Sequence, residues 1–311
     1  MLTVPLINLN TVHIFFISFI FFFIHSVLHA QVQGKNYNDG HGKQVYLPHG
    51  DISFADEIIS FRKGSPAAII LSSDPLTSMG IPDYDGVNKG FVSLGCGGEL
   101  ILRFTDNALI NIEGPDLYIF EVGKFIESTK LSISKDGINW MAIGIIKGAK
   151  AEVDIAPFTN NGDVFNYIKL VDLKTECHGM WSGADIDAVA TIGSAKRISF
   201  VSNVLFNFNE STLKPEAKNL LNDLINEINK TSIERIIIEG YTDSLGTTEL
   251  NKKLSLARAL AVQSYLTKKL ANKKTTINAM GLGENNPLFS NTTKEGQEKN
   301  RRVEVILIPD K

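Results

Sequence analysis

The chain of 311 residues is 43% hydrophobic and 21% charged. That composition excludes a disordered polymer, and the length exceeds what one hydrophobic core usually organises, so two folded modules plus a targeting segment are expected. The net charge of −3 hides an asymmetry: residues 31–195 hold 13 basic against 21 acidic side chains, residues 196–311 hold 18 against 13, and the first 30 hold none. An acidic module followed by a mildly basic one suits a C-terminal part that meets an acidic polymer. The scattered Lys268, Lys269, Lys273 and Lys274 read as a solvated surface, and no nucleic-acid partner is expected.

From Val12 to Leu28 the chain is almost wholly apolar and ends in Leu-His-Ala before Gln31, which reads as a signal peptide, residues 1–30, cleaved after Ala30. The n-region has no Lys or Arg, so an uncleaved membrane anchor is the alternative, although the run is slightly short for a span. No Cys stands near Ala30, which argues against a lipid anchor. The two cysteines, Cys96 and Cys177, form no CxxC arrangement, and in an exported protein their even number predicts a disulfide.

Residues 31–195 contain no convincing amphipathic helix. Short runs rich in branched and aromatic residues (67–71, 99–104, 117–121, 130–134, 140–145 and 165–171) alternate with turn signals such as Asp136-Gly137, Asn161-Gly162, Gly114-Pro115 and Ser182-Gly183. This pattern predicts an all-β sandwich, with Leu131 and Ile133 inward and Ser132 and Ser134 outward. After Gly193 the period changes. A strand at 204–208 precedes Pro215, and Leu220, Leu221, Leu224, Ile225 and Ile228 recur at helical spacing. A strand at 233–239, a helix at 248–270 and strands at 276–280 and 302–308 follow. For residues 196–311 they predict an α/β sandwich, two helices on one face of a small mixed sheet. Residues 194–197 read as a short linker.

In Gly240–Leu266, Asn251, Ser255 and Arg258 fall on one polar stripe of the second helix, while Leu250, Leu254, Ala257 and Ala261 form an adjacent apolar stripe. Asp243, in the turn before that helix, can face the Arg258 guanidinium. For an isolated pair this would be a structural salt bridge.

The whole string says more. VLFNFNESTLKPEA (204–217), GYTD, NKKLSLARA, GLGENNP (281–287) and EKNRRVEV (298–305) resemble, in order and spacing over about 110 residues, the OmpA-like domain of outer membrane protein A, Pal-type lipoproteins and flagellar stator proteins. The resemblance implies peptidoglycan binding, with Asp243 and Arg258 holding the free end of diaminopimelate, Asn251 and Arg301 as flanking contacts, and Thr242 offering a backbone contact. One carbon bearing an ammonium and a carboxylate needs a fixed anion beside a fork-shaped cation, which suits Arg better than Lys. Asn207 stands where many relatives carry Asp and Gln297 where an Arg often precedes NRR; neither is expected at the grip. Arg302 is assigned to an acid on the sheet, and residues 287–299 to a structural loop.

The strings VSLGCGGELILRF, GPDLYIFEVG, SKDGINW and WSGADIDAV resemble a secreted β-sandwich module of Bacteroidetes-like envelope proteins, which implies no activity. Asp116, Glu121, Asp136, Asp185 and Asp187 could offer oxygen to Ca²⁺, but Asp favours turns regardless of metal, so no metal or other cofactor is assigned. Trp140 and Trp181 could stack on sugar, although a sandwich Trp is more often core. Asp185 and Asp187 at i, i+2 invite a glycosidase reading, yet HExxH, GxSxG and P-loop motifs are absent and His41, His49 and His178 are the histidines beyond residue 30. The expectation is a non-enzymatic, wall-tethered protein of the periplasm or cell outer membrane in a diderm bacterium. The alternative is a surface adhesin, or a glycan-binding or hydrolytic sandwich, merely anchored by the C-terminal domain.

Overall fold

The computed structural model describes residues 34–310, apart from 70, 71, 85, 87–89, 123–126, 147–150, 161 and 176. The expected signal segment lies outside the described residues, among which no helix is long and apolar enough to cross a membrane. In chain order the strands are β1 (Lys35–Asn38), β2 (Gln44–Leu47), β3 (Glu57–Arg62), β4 (Val92–Ser93), β5 (Glu99–Arg103), β6 (Asn107–Leu109), β7 (Leu117–Glu121), β8 (Thr129–Ser134), β9 (Met141–Ile146), β10 (Glu152–Val153), β11 (Tyr167–Asp172) and β12 (Asp185–Thr191). Then follow β13 (Ser194–Val201), helices α1 (Ser202–Leu205) and α2 (Ala217–Lys230), β14 (Ile233–Tyr241), α3 (Thr248–Lys269), β15 (Thr276–Gly283), α4 (Lys294–Asn300) and β16 (Arg302–Pro309).

The first part pairs as two antiparallel sheets, β10-β7-β12-β4 and β3-β5-β11-β8-β9, beside the β1-β2 hairpin. One core lies between them, drawn from Val92, Leu117, Ile119, Ile186 and Val189 on one sheet and Leu100, Leu102, Leu131, Ile133 and Leu170 on the other. Cys96 and Cys177, expected to pair, are disulfide-bonded. Residues 67–69 belong to no strand. Ser132 and Ser134 are buried, not solvated, and Ser134 is drawn into the following turn, where it donates to Asn139 O at 2.6 Å. Neither Trp is core: Trp181 is 38% exposed, and half-buried Trp140 carries Lys169 Nζ 4.1 Å from its ring centre.

The second part forms the sheet β15-β14-β16-β13-β6, parallel at β14–β15 and antiparallel elsewhere. Its central strands β14 and β16 bury residues of both faces, whereas the edge strand β15 leaves Thr276, Asn278 and Met280 exposed. Ile236, Ile238, Val303, Val305 and Leu307 pack under the α2 stripe Leu220, Leu221, Leu224, Ile225 and Ile228. Ile237, Ile306, Ile308 and Ala195 face the other way and meet Ile110, Ile112 and Val164 of the first part.

That second face explains two departures. Residues 194–197, read as a linker, open β13, which runs across position 195/196 and pairs with β16 over Lys196–Val201. Residues of the first part also supply the edge strand β6, in register Ser194↔Leu109 to Lys196↔Asn107. Beneath, Arg197 donates to Phe104 O at 3.2 Å and to the Asn166 side chain, and is ion-paired with Glu304 at 3.3 Å. Glu304 also takes Arg302 Nε at 2.6 Å. The expected strand at 204–208 is replaced by α1 and a single bridge, Phe206↔Leu213. The expected structural loop at 287–299 contains most of α4, capped by Thr293 Oγ1, which accepts from Gly296 N at 3.0 Å.

Candidate functional site

Asp243 stands two residues beyond β14, and five residues later α3 begins, capped by Thr247 Oγ1 on Leu250 N at 3.3 Å. The helix sits directly on β14 and β15 because Gly240 and Gly281 have no side chain. A Cβ at Gly240 would lie 2.1 Å from Ser255 O, and one at Gly281 2.4 Å from Leu256 N. The close approach buries the polar stripe of α3. Asn251, Ser255 and Arg258 are buried with Ala259, Val262 and Leu266, whereas Leu250 is 62% exposed. Ser255 Oγ accepts Gly283 N at 3.0 Å, closing the helix onto the end of β15.

Arg258, 3% exposed, places its guanidinium carbon 5.5 Å from the Phe206 ring centre and donates from Nε to Glu210 O at 3.0 Å. Its Nη1 is buried and has no hydrogen-bond partner among the described residues. Burial lowers its pKa, the Arg301 cation adds to that, and Asp243 opposes it.

Asp243 is paired not with Arg258, as expected for a simple salt bridge, but with Arg301. It also accepts Leu245 N at 3.0 Å. Thr242 donates its backbone N–H to Gly283 O at 2.8 Å, while its buried Oγ1 is unpartnered among the described residues. Asn251 fastens the turn, donating to Asp243 O at 3.3 Å and to the Glu284 carboxylate.

These five side chains line one cavity of about 140 Å³. Asn207, expected away from the grip, lines it too and donates to Glu210 Oε2 at 3.1 Å. Gln297 is elsewhere, donating to Asn291 O at 2.8 Å. Leu254 of the apolar stripe lines the cavity as well, and so do Phe206, Phe208 and Leu245, which were not singled out from sequence although VLFNFN carries both aromatics. Arg302 turns away to Glu304 and lies over Tyr241, 3.7 Å from its ring centre.

Residues 205–301 match the OmpA family, a span that contains every residue of the cavity from Phe206 to Arg301. Outer membrane porin F of Pseudomonas aeruginosa is 30% identical over 272 residues, 83% of this chain and 73% of that protein. The chain belongs to the OmpA family.

Outer membrane protein A of Bordetella avium is 40% identical to this OmpA-family chain over 114 residues, 37% of the chain and 58% of the relative. The probable lipoprotein YiaD of Escherichia coli is 40% identical over 115 residues, 36% of the chain and 51% of the relative. The chain thus spans little more than half the length of these two relatives. Among solved structures, a putative MotB like protein from Desulfovibrio vulgaris shares 30% identity at TM-score 0.33, covering 38% of this chain and 75% of that one. The peptidoglycan-associated lipoprotein from Burkholderia pseudomallei shares 26% at TM-score 0.28, covering 33% and 87%.

The acidic residues considered for Ca²⁺ in the first part are engaged in the fold. Asp116 accepts Ile112 N at 2.7 Å and Ile155 N at 2.9 Å, and Asp136 accepts Ile138 N and Asn139 N at 2.9 and 2.8 Å. Glu121 accepts Glu127 N at 2.8 Å, Asp185 takes the Ser93 hydroxyl, and Asp187 takes Asp83 N at 3.1 Å. Burial pushes Asp185 and Asp187 up to about 7 and Glu121 to about 10. Asp187 sits at a β-bulge between Ile186 and Ala188, so the regular i, i+2 alternation assumed for Asp185 and Asp187 is interrupted between them.

Proposed function

We propose that this chain is a non-catalytic envelope protein that binds the diaminopimelate stem of peptidoglycan non-covalently and so tethers an exported β-sandwich module, residues 31–195, to the wall. The observation that carries the reading is Arg258: a cation 3% exposed, at a cavity, with one nitrogen left unpartnered among the described residues. An unsatisfied buried guanidinium nitrogen is costly, and a ligand carboxylate removes that cost. Asp243 supplies the complementary anion. A carboxylate has about four lone-pair positions, of which Leu245 N and Arg301 take two, so a ligand ammonium can join without expelling either. Arg301 then lies beside both ligand charges, Asn251 holds the turn that carries Asp243, and Thr242 Oγ1 offers a further polar contact.

Size supports an end-group ligand. Pockets that engulf a whole small molecule run about 300–1,000 Å³, and about 140 Å³ suits one amino-acid head group. The relatives named for the outer membrane support a location in the periplasm or at the outer membrane, and the apolar run ending at Ala30 reads as the signal peptide that exports the chain. The test is sedimentation of the mature protein with purified walls. Diaminopimelate-type peptidoglycan should pull it down, and a wall with Lys in that position, which keeps the ammonium but lacks the carboxylate, should do so far more weakly. Equal recovery with both would refute the zwitterion reading.

A further inference from the structure

Residues 31–195 hold 13 basic against 21 acidic side chains, yet one surface of this acidic part is apolar and basic. His178, Gly179, Met180 and Trp181 are exposed in succession, Met180 at 54% and Trp181 at 38%. Scattered exposed apolar residues need no explanation, but this tip is held at both ends. The Cys96–Cys177 bond fixes its start, and Met180 O accepts Ile69 N at 2.9 Å. Ser182 Oγ donates to Gly179 O at 3.3 Å, and Gly183 lies so close to Gly95 that a Cβ there would stand 2.4 Å from Gly95 O. The segment before Ile69 joins the same surface. Ser65 N donates to Cys96 O at 2.9 Å and Cys96 N to Pro66 O at 3.0 Å, while Arg62, Lys63, Pro66 and Ala67 are exposed. Gly97 brings two cations together: its carbonyl accepts Arg62 Nη1 at 3.4 Å, and a Cβ on it would meet Lys174 Cε at 2.5 Å. The buried Asp172 accepts Gly97 N at 2.7 Å and Lys174 N at 2.9 Å, which holds Lys174 in the left-handed region at φ 62°. Glu99, opposite Arg62 in register, is half-buried. None of Arg62, Lys63 and Lys174 is ion-paired among the described residues.

We propose that residues 178–181 are a membrane-docking tip: Met180 and Trp181 enter the headgroup layer of an anionic phospholipid bilayer, and Arg62, Lys63 and Lys174 meet its phosphates. A tryptophan ring has an apolar body and a polar N–H, which suits the boundary between headgroups and acyl chains. Cations beside it are drawn to the negative surface potential. That attraction also orients the module, because its acidic faces are repelled by the same potential. The tip is already fixed at both ends, so docking orders little backbone. A sugar stacked on Trp181 would ask for hydrogen-bonding groups beside the ring, but Met180 is apolar and the Ser182 hydroxyl is already engaged by Gly179 O. The tip shares no residue with the Asp243 cavity and acts whatever that cavity binds.

The experiment is vesicle sedimentation of the chain from Gln31, which keeps every described residue and leaves out the apolar run of residues 12–28 that would itself enter lipid. Vesicles of phosphatidylethanolamine with phosphatidylglycerol should carry it down, and vesicles of phosphatidylcholine far more weakly. Trp181→Ala should weaken binding to the anionic vesicles roughly tenfold, the effect of re-exposing about two methylene groups, and Met180→Ser should resemble it. Arg62→Gln and Lys174→Gln should each cost roughly fivefold. The chain has two tryptophans, so in Trp140→Phe the emission of Trp181 alone should shift to the blue when anionic vesicles are added. Failure of the anionic vesicles to carry down the wild type overturns the proposal. So does binding that Trp181→Ala and Met180→Ser both leave within about twofold of wild type, because charge alone would then hold the chain. A blue shift produced by soluble oligosaccharide and not by vesicles also overturns it, and makes the tip a glycan site.

Discussion

Glu304→Gln tests the seam between the two parts of the molecule. Glu304 is the carboxylate between two guanidiniums, Arg302 Nε at 2.6 Å and Arg197 Nε at 3.3 Å, with all three side chains 4% exposed or less. Glutamine keeps the volume, so no cavity opens, but two cations then lie buried without their anion. Removing one partner of a buried pair costs about 3–5 kcal/mol, a large share of the roughly 5–15 kcal/mol that holds a domain together. Arg197 also donates to Phe104 O and Asn166, so the loss falls on the contact between parts as well as within the sheet. Urea unfolding at pH 7 should show a midpoint lower by about 1 M at an m of about 3 kcal/mol/M, with m itself unchanged. Burial alone would raise the Glu304 pKa, but Arg197 and Arg302 outweigh it and hold the group below its ordinary value. A folded pKa below the unfolded one gives stability that is present above the unfolded value, about 4.3, and is lost as pH falls through the folded value. The gap between wild type and variant should therefore close in acid. A change under about 0.5 kcal/mol, the scale expected for the exposed pair Lys35–Asp51, would refute the reasoning.

The Cys96–Cys177 bond, with sequence separation 81, should stabilise the first part by up to ~4 kcal/mol in the chain-entropy model; the Cys96→Ser, Cys177→Ser double variant measured by thermal unfolding checks this. Full-length protein should melt in one calorimetric transition, because Ile237, Ile306 and Ile308 are buried against the first part and β6 completes the sheet. A fragment of residues 196–311, lacking that cover, should melt lower or aggregate. Two independent transitions, one matching the fragment, would contradict the shared interface.

The second part was legible where periodicity had one cause. The α2 stripe Leu220, Leu221, Leu224, Ile225 and Ile228 is buried as its spacing implies. In α3 periodicity did not decide the facing, because what a helix buries depends on what it lies against. Along α3 the buried residues are Asn251, Ser255 and Arg258 together with Ala259, Val262 and Leu266, so the first turns of its inward face are polar and no hydrophobic pattern marks them. β13 escaped notice because its partners β16 and β6 lie about 100 residues away in opposite directions along the chain. α4, KEGQEKN, has no apolar residue to reveal it and begins at the Thr293 cap. At the site, spacing brought Asp243 and Arg258 together but could not assign their partners. Arg301 arrives from the far end of α4, and its hold on Asp243 leaves Arg258 Nη1 without a partner among the described residues.

The most direct measurement is wall binding by Asp243→Asn and Arg258→Lys, chosen over Ala because Arg258 is buried against Phe206 and its loss would leave a void. Asp243→Asn keeps the shape and removes the anion; Arg258→Lys keeps the charge and removes the planar fork. Each should weaken sedimentation with diaminopimelate-type peptidoglycan by the equivalent of about 2–5 kcal/mol, while circular dichroism stays that of the folded wild type. If both folded variants sediment as the wild type does, Asp243, Arg258 and Arg301 are a structural charge cluster and the proposed grip is wrong.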